Sequence, residues 1–162
     1  MRPPMKALFF AAAITLLPLA GCTSKPAAST INERAALTGQ LPYNPLSWKV
    51  ITSSVNQRNA TMSTLYGNDI AVQYARTNAD RSYPSGSVLA LVIWAQRDDP
   101  HWFGARIPST VQSVEFVTIQ SPAGTSSKYE RYQGSPLALA GATAGDADRI
   151  AYLTAQRAAV MP

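Results

Sequence analysis

Two side chains that commonly carry out chemistry in proteins occur once each in this chain of 162 residues, the thiol of Cys22 and the imidazole of His101. His101 follows Asp98 and Asp99 in a polar segment. An imidazole with carboxylates could bind zinc or copper, and an imidazole alone could bind haem iron. A surface histidine in a solvated loop explains the same residues more simply. His101 is therefore a possible ligand of haem or a metal, and no dedicated metal site is predicted.

The other reactive side chains form no recognisable catalytic arrangement. No Gly-x-Ser-x-Gly segment is present, and the serines share one possible histidine base. The nine carboxylates are spread along the chain, and their spacing does not indicate which two would act together. Glu115 stands in an otherwise apolar strand pattern, which an exposed strand end or barrel rim explains most simply. We predict no catalytic residues, and enzymatic activity is left open but not favoured.

The first 21 residues have the pattern of a bacterial signal peptide. Arg2 and Lys6 give a positive start, and an apolar run over 7–17 follows. This run is shorter than the roughly 20 residues that a helix needs to cross a bilayer. The next residues, Leu19-Ala20-Gly21-Cys22, resemble the lipobox of bacterial lipoprotein precursors. The resemblance implies cleavage before Cys22 and attachment of lipid to its thiol.

Lipid on Cys22 would decide the location of the protein. The resemblance implies a diacylglycerol and an amide-linked acyl chain, and more than one chain is needed for durable attachment. Thr23 rather than an aspartate follows the cysteine. By the sorting rule that the resemblance implies, this favours the periplasmic side of the outer membrane over the inner membrane. Because Cys22 is the only cysteine, no disulfide is expected in the mature chain.

Charge excludes one class of partner. Loss of Arg2 and Lys6 with the signal peptide lowers the formal net charge from +5 to +3. The remaining basic residues are spread singly between Lys25 and Arg157, without a cluster that could neutralise a row of phosphates. We therefore expect a membrane partner through the lipid anchor, and no nucleic acid.

Composition divides the chain into four segments. Small and polar residues over 23–30 predict a tether. Ser29 or Thr30 could cap a short helix through Leu37, with Glu33 as the capping-box partner of Thr30. Near the other end, Asp146 or Asp148 could cap a helix over 149–159. The predicted boundaries are 1–21 for the signal peptide, 22–40 for the lipid-anchored tether and short helix, 41–133 for a β domain, and 134–162 for a loop and C-terminal helix.

Strand patterns dominate the third segment. The run over 87–95 is apolar without alternation, which predicts a central strand covered on both faces. Gly67-Asn68-Asp69 reads as a turn that leads into another strand. Alternation and β-branched residues predict strands at 47–52, 61–66, 70–74, 87–95, 111–120 and 128–132.

Several short blocks follow one another between Leu41 and Tyr132 in a characteristic order. They are Leu41-Pro42, Trp48-Lys49, Tyr66-Gly67-Asn68-Asp69-Ile70-Ala71, Tyr83-Pro84-Ser85-Gly86-Ser87-Val88-Leu89, Trp94, Phe103-Gly104 and Val114-Glu115-Phe116-Val117. In this order and spacing they resemble the cytochrome P460 family, periplasmic β-rich haem proteins that include the β-type cytochrome c-prime proteins. The resemblance implies an α+β, mainly β fold, with an antiparallel sheet and short N- and C-terminal helices. It also makes a homodimer plausible, since such proteins often pair through their sheets.

The family's haem attachment has no counterpart in this sequence. Family members hold haem through a late Cys-x-x-Cys-His motif, in which the cysteines form thioethers and the histidine binds iron. No cysteine follows Cys22, and the region after Tyr132 contains Ser135, Pro136 and Leu137 instead. We therefore expect no covalent c-type haem and no cofactor, although noncovalent haem stays possible.

Three functional hypotheses follow. The first is a non-catalytic protein that binds a small ligand or an envelope component, and the second is a noncovalent haem protein, for redox chemistry or diatomic gases, with His101 as axial ligand. The third is an envelope interaction protein without a pocket. The first and third together are favoured over the haem protein. Six aromatic residues could line a pocket or belong to the core, namely Trp48, Tyr66, Tyr74, Trp94, Trp102 and Phe116.

Overall fold

A computed structural model of the chain describes residues 31–77, 82–121 and 126–159. Six antiparallel strands form one sheet whose spatial order follows the chain order. The strands are β1 Lys49–Asn56, β2 Thr61–Gly67, β3 Val88–Asp98, β4 Arg106–Ile119, β5 Ser127–Gln133 and β6 Ala138–Leu139. The helices are α1 Asp69–Arg76 and α2 Asp146–Ala155, with 3₁₀ turns at Glu33–Ala35 and Pro45–Ser47. The predicted α+β, mainly β fold is confirmed.

Strand β3 lies inside the sheet and is buried on both faces, as its apolar run predicts. Its neighbours are β2 and β4. Successive side chains of a strand point to opposite faces, so its residues enter two separate cores. We call the side of Leu89 and Leu91 the helical face, because α1 and α2 contribute buried residues to that core. We call the side of Ala90 and Trp94 the aromatic face.

Helix α1 replaces the strand predicted at 70–74, so that prediction is wrong. The Asn68 side chain accepts a hydrogen bond from Ala71 N at 3.0 Å, which caps the helix. Ala71, Val72 and Ala75 are buried at helical spacing. A five-residue apolar pattern fits either period, and the cap with the packing decides between them. Gly67, just before the helix, permits the Ile51 side chain to approach the backbone closely, since an added Cβ would lie 2.7 Å from Ile51 Cδ1.

Helix α2 begins earlier and ends earlier than the predicted 149–159. Neither predicted cap is used, because Gly145 stands at the N-cap and Asp146 accepts hydrogen bonds from Thr143 N at 3.0 Å and Oγ1 at 2.6 Å. After the helix, Ala159 N donates to Ile51 O at 2.9 Å, so the chain is extended where a longer helix was predicted. Leu153 is the one fully buried residue of α2, which confirms a narrow buried face.

The N-terminal part of the described chain packs on the aromatic face. The helix predicted through Leu37 is only a 3₁₀ turn, and its two alternative predicted caps, Ser29 and Thr30, lie outside the described residues. Ala35 O accepts a hydrogen bond from Trp94 Nε1 at 3.0 Å. Ala35 and Leu37 also pack against the aromatic core, so part of the segment assigned by sequence to the tether and short helix belongs to the folded domain. No helix in the described ranges is long and apolar enough to span a membrane.

The segment after β5 was predicted as a loop, and it contains the short strand β6. Tyr132 pairs with Leu139, and Gln133 with Ala138. Leu137 N donates to Thr38 O at 2.7 Å, and Leu137 also forms a parallel bridge with Gly39. A two-residue strand is too short to produce a periodic pattern, so only these long-range bonds define it.

Candidate functional site

Four of the six aromatic residues singled out by sequence lie together on the aromatic face. Trp94 and Phe116 are buried in this core, and Trp48 and Tyr66 pack against it. The ring of Tyr132 meets Phe116 edge-on, with centroids 5.8 Å apart. Antiparallel pairing brings these side chains together because β2, β3, β4 and β5 are neighbours in the sheet.

The other two aromatic residues lie elsewhere. Tyr74 projects from α1 to the helical face, where its ring lies 4.5 Å from that of Tyr83. Trp102 belongs to the loop between β3 and β4 and is 73% exposed. The six residues therefore do not surround one pocket.

On the aromatic face, buried side chains fill the space in which the aromatic residues could have lined a haem pocket. Trp94, Phe116 and Leu137 are each no more than 5% exposed. Leu137 comes from the segment after β5, and the family's haem attachment motif was expected in that region. It stands in the same core as Phe116. A close-packed core of this kind leaves no room for a flat macrocycle without repacking.

The residues present do not fit a thioether-attached haem. Residues 134–140 contain no thiol and no imidazole. The segment is instead tied to the domain, since Leu137 N donates to Thr38 O and Ala140 N donates to Arg131 O, both at 2.7 Å. The donor set that such a haem requires is absent from this stretch of sequence.

His101 lies in the exposed loop between β3 and β4, apart from the aromatic core. Its backbone N–H donates to Asp99 Oδ1 at 2.8 Å. Asp98 forms an ion pair with Arg106 at 3.1 Å. Within 31–77, 82–121 and 126–159, no three His, Cys, Asp or Glu side chains gather where they could hold a metal ion. Cys22, the predicted lipidation site, lies outside these ranges.

The helical face contains a buried ion pair that the sequence did not predict. Arg149 of α2 donates from Nε to Glu115 Oε2 at 2.9 Å and from Nη2 to Oε1 at 3.1 Å. The Glu115 side chain is 5% exposed, so the prediction of an exposed strand end or barrel rim is wrong. The Glu115 carboxylate is tolerated in apolar surroundings because the bidentate Arg149 guanidinium compensates its charge.

Tyr129 adds to this polar cluster from the neighbouring strand β5. Burial, followed by the negative charge of Glu115, raises the pKa of Tyr129 to about 12. Arg149 Cζ also lies 4.9 Å from the ring centroid of Tyr152, one helical turn further along α2. The sequence signal for the cluster was the isolated acid at Glu115, but its partner is 34 positions away. No local pattern could have joined them.

Beside the cluster, a groove of about 320 Å³ opens between α2 and the β1–β2 hairpin. Its volume is at the lower end of the about 300–1,000 Å³ that is usual for small-molecule pockets. Leu91 and Ile93 supply an apolar floor, and Arg149 and Tyr152 line it from α2. Amide and hydroxyl side chains complete the lining, among them Asn56, Asn59, Thr61, Ser63 and Gln112.

The groove is suited to a neutral ligand. Arg149 brings a positive charge, but its guanidinium is already paired with the Glu115 carboxylate. The other polar lining groups are uncharged and can both donate and accept hydrogen bonds. The arrangement can therefore bind hydroxyl or amide groups over an apolar floor, and it offers no nucleophile with an adjacent base.

Comparison with known proteins identifies the domain. The family model described as cytochrome P460 matches residues 43–140, which is more than half of the chain. None of the curated proteins matches the chain. The match covers β1 to β6 as well as α1. The chain therefore belongs to the cytochrome P460 family.

Proposed function

We propose that this member of the cytochrome P460 family is a lipid-anchored periplasmic protein that binds a small, neutral, polar ligand without covalent haem. The observation that carries the proposal is the placement of open volume. Leu137 is buried in the aromatic core, whereas a groove of about 320 Å³ lies on the opposite side, next to Arg149.

The composition of the groove supports the ligand class. Asn56, Asn59 and Gln112 bring amides to its lining, and Tyr152, a residue that is 44% exposed, lies beside them. An aromatic surface with convergent amides and hydroxyls suits a molecule with both polar edges and apolar faces. A glycan of the cell envelope has these properties, and the proposed location would bring the domain close to such molecules.

The lipid anchor rests on the sequence. Leu19-Ala20-Gly21-Cys22 stands directly after a signal-like segment and uses the only cysteine of the chain. Incorporation of radiolabelled palmitate into the wild-type chain, and its loss in Cys22→Ala, tests this part of the proposal. Label that persists in Cys22→Ala would contradict it.

A spectroscopic titration tests the absence of haem. The purified chain is mixed with haemin, and the Soret band is followed against a haemin blank. We expect the spectrum of free haemin, because residues 134–140 contain no thiol or imidazole and the aromatic core is filled by buried side chains. A stoichiometric, shifted Soret band that His101→Ala removes would favour the noncovalent haem protein instead.

A titration with the tetramer of N-acetylglucosamine tests the ligand class. Amide resonances of the ¹⁵N-labelled protein are recorded as the sugar is added. We expect shifts at groove residues such as Gln112 and Tyr152, and weaker binding in Tyr152→Ala. Tyr43→Ala is the matched control, because Tyr43 is 40% exposed but its ring contacts Trp48 and Phe116 on the aromatic face. Shifts confined to other surfaces, or no shifts, would reject the proposed ligand class.

A further inference from the structure

The loop between β3 and β4 displays two large apolar side chains. Trp102 is 73% exposed and Phe103 is 108% exposed, and among the large hydrophobic residues of the described chain Phe103 has the highest exposure. The loop is an ordered turn, since Ala105 N donates to Trp102 O at 3.1 Å and Asp99 N donates to Ala105 O at 3.0 Å. Gly104 takes the left-handed conformation that the turn requires, with φ of +78°. The two aromatic rings are thus held out at the end of a long hairpin.

The beginning of the described chain lies at the same end of this hairpin. Asn32 Nδ2 donates to Pro108 O at 2.6 Å, and Asn32 Oδ1 accepts from Arg97 Nη2 at 3.4 Å. Arg97 pairs with Ile107 in the sheet, and the last pair before the loop is Asp98 with Arg106. The segment that leads back to Cys22 therefore leaves the domain next to the loop that carries the exposed aromatic residues.

The short length of that segment limits the distance from the membrane. Cys22 and Ile31 are nine residues apart. Even a fully extended chain of this length spans only about 30 Å. A lipid on Cys22 would hold the Asn32 end of the domain within that distance of the bilayer. Ile31 is itself 75% exposed, which adds a third apolar side chain at this end.

We propose that the loop bearing Trp102 and Phe103 inserts into the interface of the membrane that holds the lipid anchor, as a second point of contact. The inference rests on the proposed lipidation of Cys22. Tryptophan side chains are favoured at the boundary between headgroups and acyl chains, and other apolar rings gain by leaving water there. With two contacts, the domain has a fixed orientation relative to the bilayer.

Charge at the loop predicts how the contact depends on lipid composition. Arg106 is paired with Asp98, and Asp99 is a further acidic residue close to Trp102. No excess of positive charge therefore lies beside the aromatic rings. Insertion depends on apolar contact rather than on attraction to anionic headgroups, so it occurs equally in phosphatidylcholine vesicles and in vesicles that contain phosphatidylglycerol.

Fluorescence quenching by brominated lipids tests the contact. The full chain, purified from cells supplied with labelled palmitate, is reconstituted into phosphatidylcholine vesicles with or without bromine on the acyl chains. We expect lower tryptophan emission in the brominated vesicles. Trp102→Phe removes the quenched component, whereas the matched control Trp48→Phe retains it because Trp48 packs on the aromatic face of the domain.

The readouts separate the two proposals. Palmitate label with equal emission in both kinds of vesicle overturns the membrane contact and leaves the anchor standing. Quenching of Trp102 without label supports the contact and overturns the anchor. Self-association that Trp102→Ser and Phe103→Ser together abolish, with no quenching, would assign the loop to a second copy of the chain and overturn the membrane contact.

Discussion

The two faces of the sheet are covered by different kinds of structure. On the aromatic face, Trp94, Phe116 and Leu137 form a core that irregular segments cover from both ends of the domain. On the helical face, α1 and α2 cover the strands, and the Glu115–Arg149 pair is buried beside an open groove. One face is filled with apolar rings, and the other combines charge, hydroxyls and space.

Under the proposal that this chain holds no covalent haem, the filled aromatic face explains how the fold keeps its stability without the cofactor. Leu137 supplies apolar packing from the segment where attachment residues would otherwise stand. Filling such a site restores the dispersion contacts that an empty cavity would lack. The helical face differs, because it keeps an open groove beside Arg149, and the proposed ligand binding is assigned to that groove.

Phe116→Ala has the largest expected effect, because it removes the centre of the filled face. The side chain is fully buried, and its truncation should lower the free energy of unfolding by about 3–5 kcal/mol. Urea denaturation followed by circular dichroism measures the change. Phe103→Ala is the matched control, since the fully exposed Phe103 should change stability by less than about 0.5 kcal/mol. Equal losses in the two variants would show that the aromatic core is not the stabilising one.

Arg149→Met tests whether the helical face depends on charge pairing. It leaves the buried Glu115 carboxylate without its partner. Removing one member of a fully buried pair costs about 3–5 kcal/mol, and with Arg149 34% exposed we expect a smaller loss of about 2–3 kcal/mol. The same urea titration measures this loss.

The double variant Glu115→Leu with Arg149→Met supplies the control. Replacing both charges removes the unpaired carboxylate, so it should be more stable than Arg149→Met alone. A double variant that is less stable than the single variant would mean that Glu115 stabilises the domain through other contacts, such as that with Tyr129, and would contradict the charge-pairing explanation.

The fold was largely predictable because local patterns specify most of it. The apolar run over 87–95 identified β3, and the strand predicted at 61–66 matches β2 within one residue. Helix α1 was missed because Asn68 acts through contacts that sequence spacing does not show. Its side chain bonds Ala71 N in the helix and Gly86 O in a distant turn. A side chain that joins two segments has no local periodicity.

The site was less predictable than the fold. Trp48, Tyr66, Trp94 and Phe116 were chosen for their type, and they do share one face, but as packing. The groove depends on how α2 lies against the β1–β2 hairpin, which pairs segments far apart in sequence. Arg149 gave no signal in the sequence, because an arginine on an amphipathic helix is usually a solvated residue.

High pH should destabilise the helical face through Tyr83. Burial raises the pKa of Tyr83 from its ordinary value of 10.0 to about 12. The folded state therefore holds the phenolic proton more tightly than the unfolded state does. This stabilisation is fully present below pH 10 and is lost as the pH rises through about 12. At about 1.4 kcal/mol for each pKa unit the full effect is about 3 kcal/mol, of which we expect about 2 kcal/mol to be lost between pH 10 and about pH 12.

Urea titrations at a series of pH values measure this loss. Tyr83→Phe should show a shallower pH dependence, with a remainder from Tyr129, whose pKa is also raised to about 12. Tyr152→Phe leaves Tyr83 in place and should keep the wild-type dependence. The role of Tyr83 would be refuted by an unchanged pH dependence in Tyr83→Phe.

Asn68→Ala has the smallest expected effect and tests how α1 is held over the helical face. The substitution removes the acceptor for Ala71 N and Val88 N, and the donor to Gly86 O. Loss of an N-cap costs about 0.5–2 kcal/mol. Asn68→Asp keeps the acceptor and adds a favourable charge at the helix N-terminus, so it should recover most of the loss. If Asn68→Asp is as unstable as Asn68→Ala, the bond to Gly86 O, rather than the cap, positions α1.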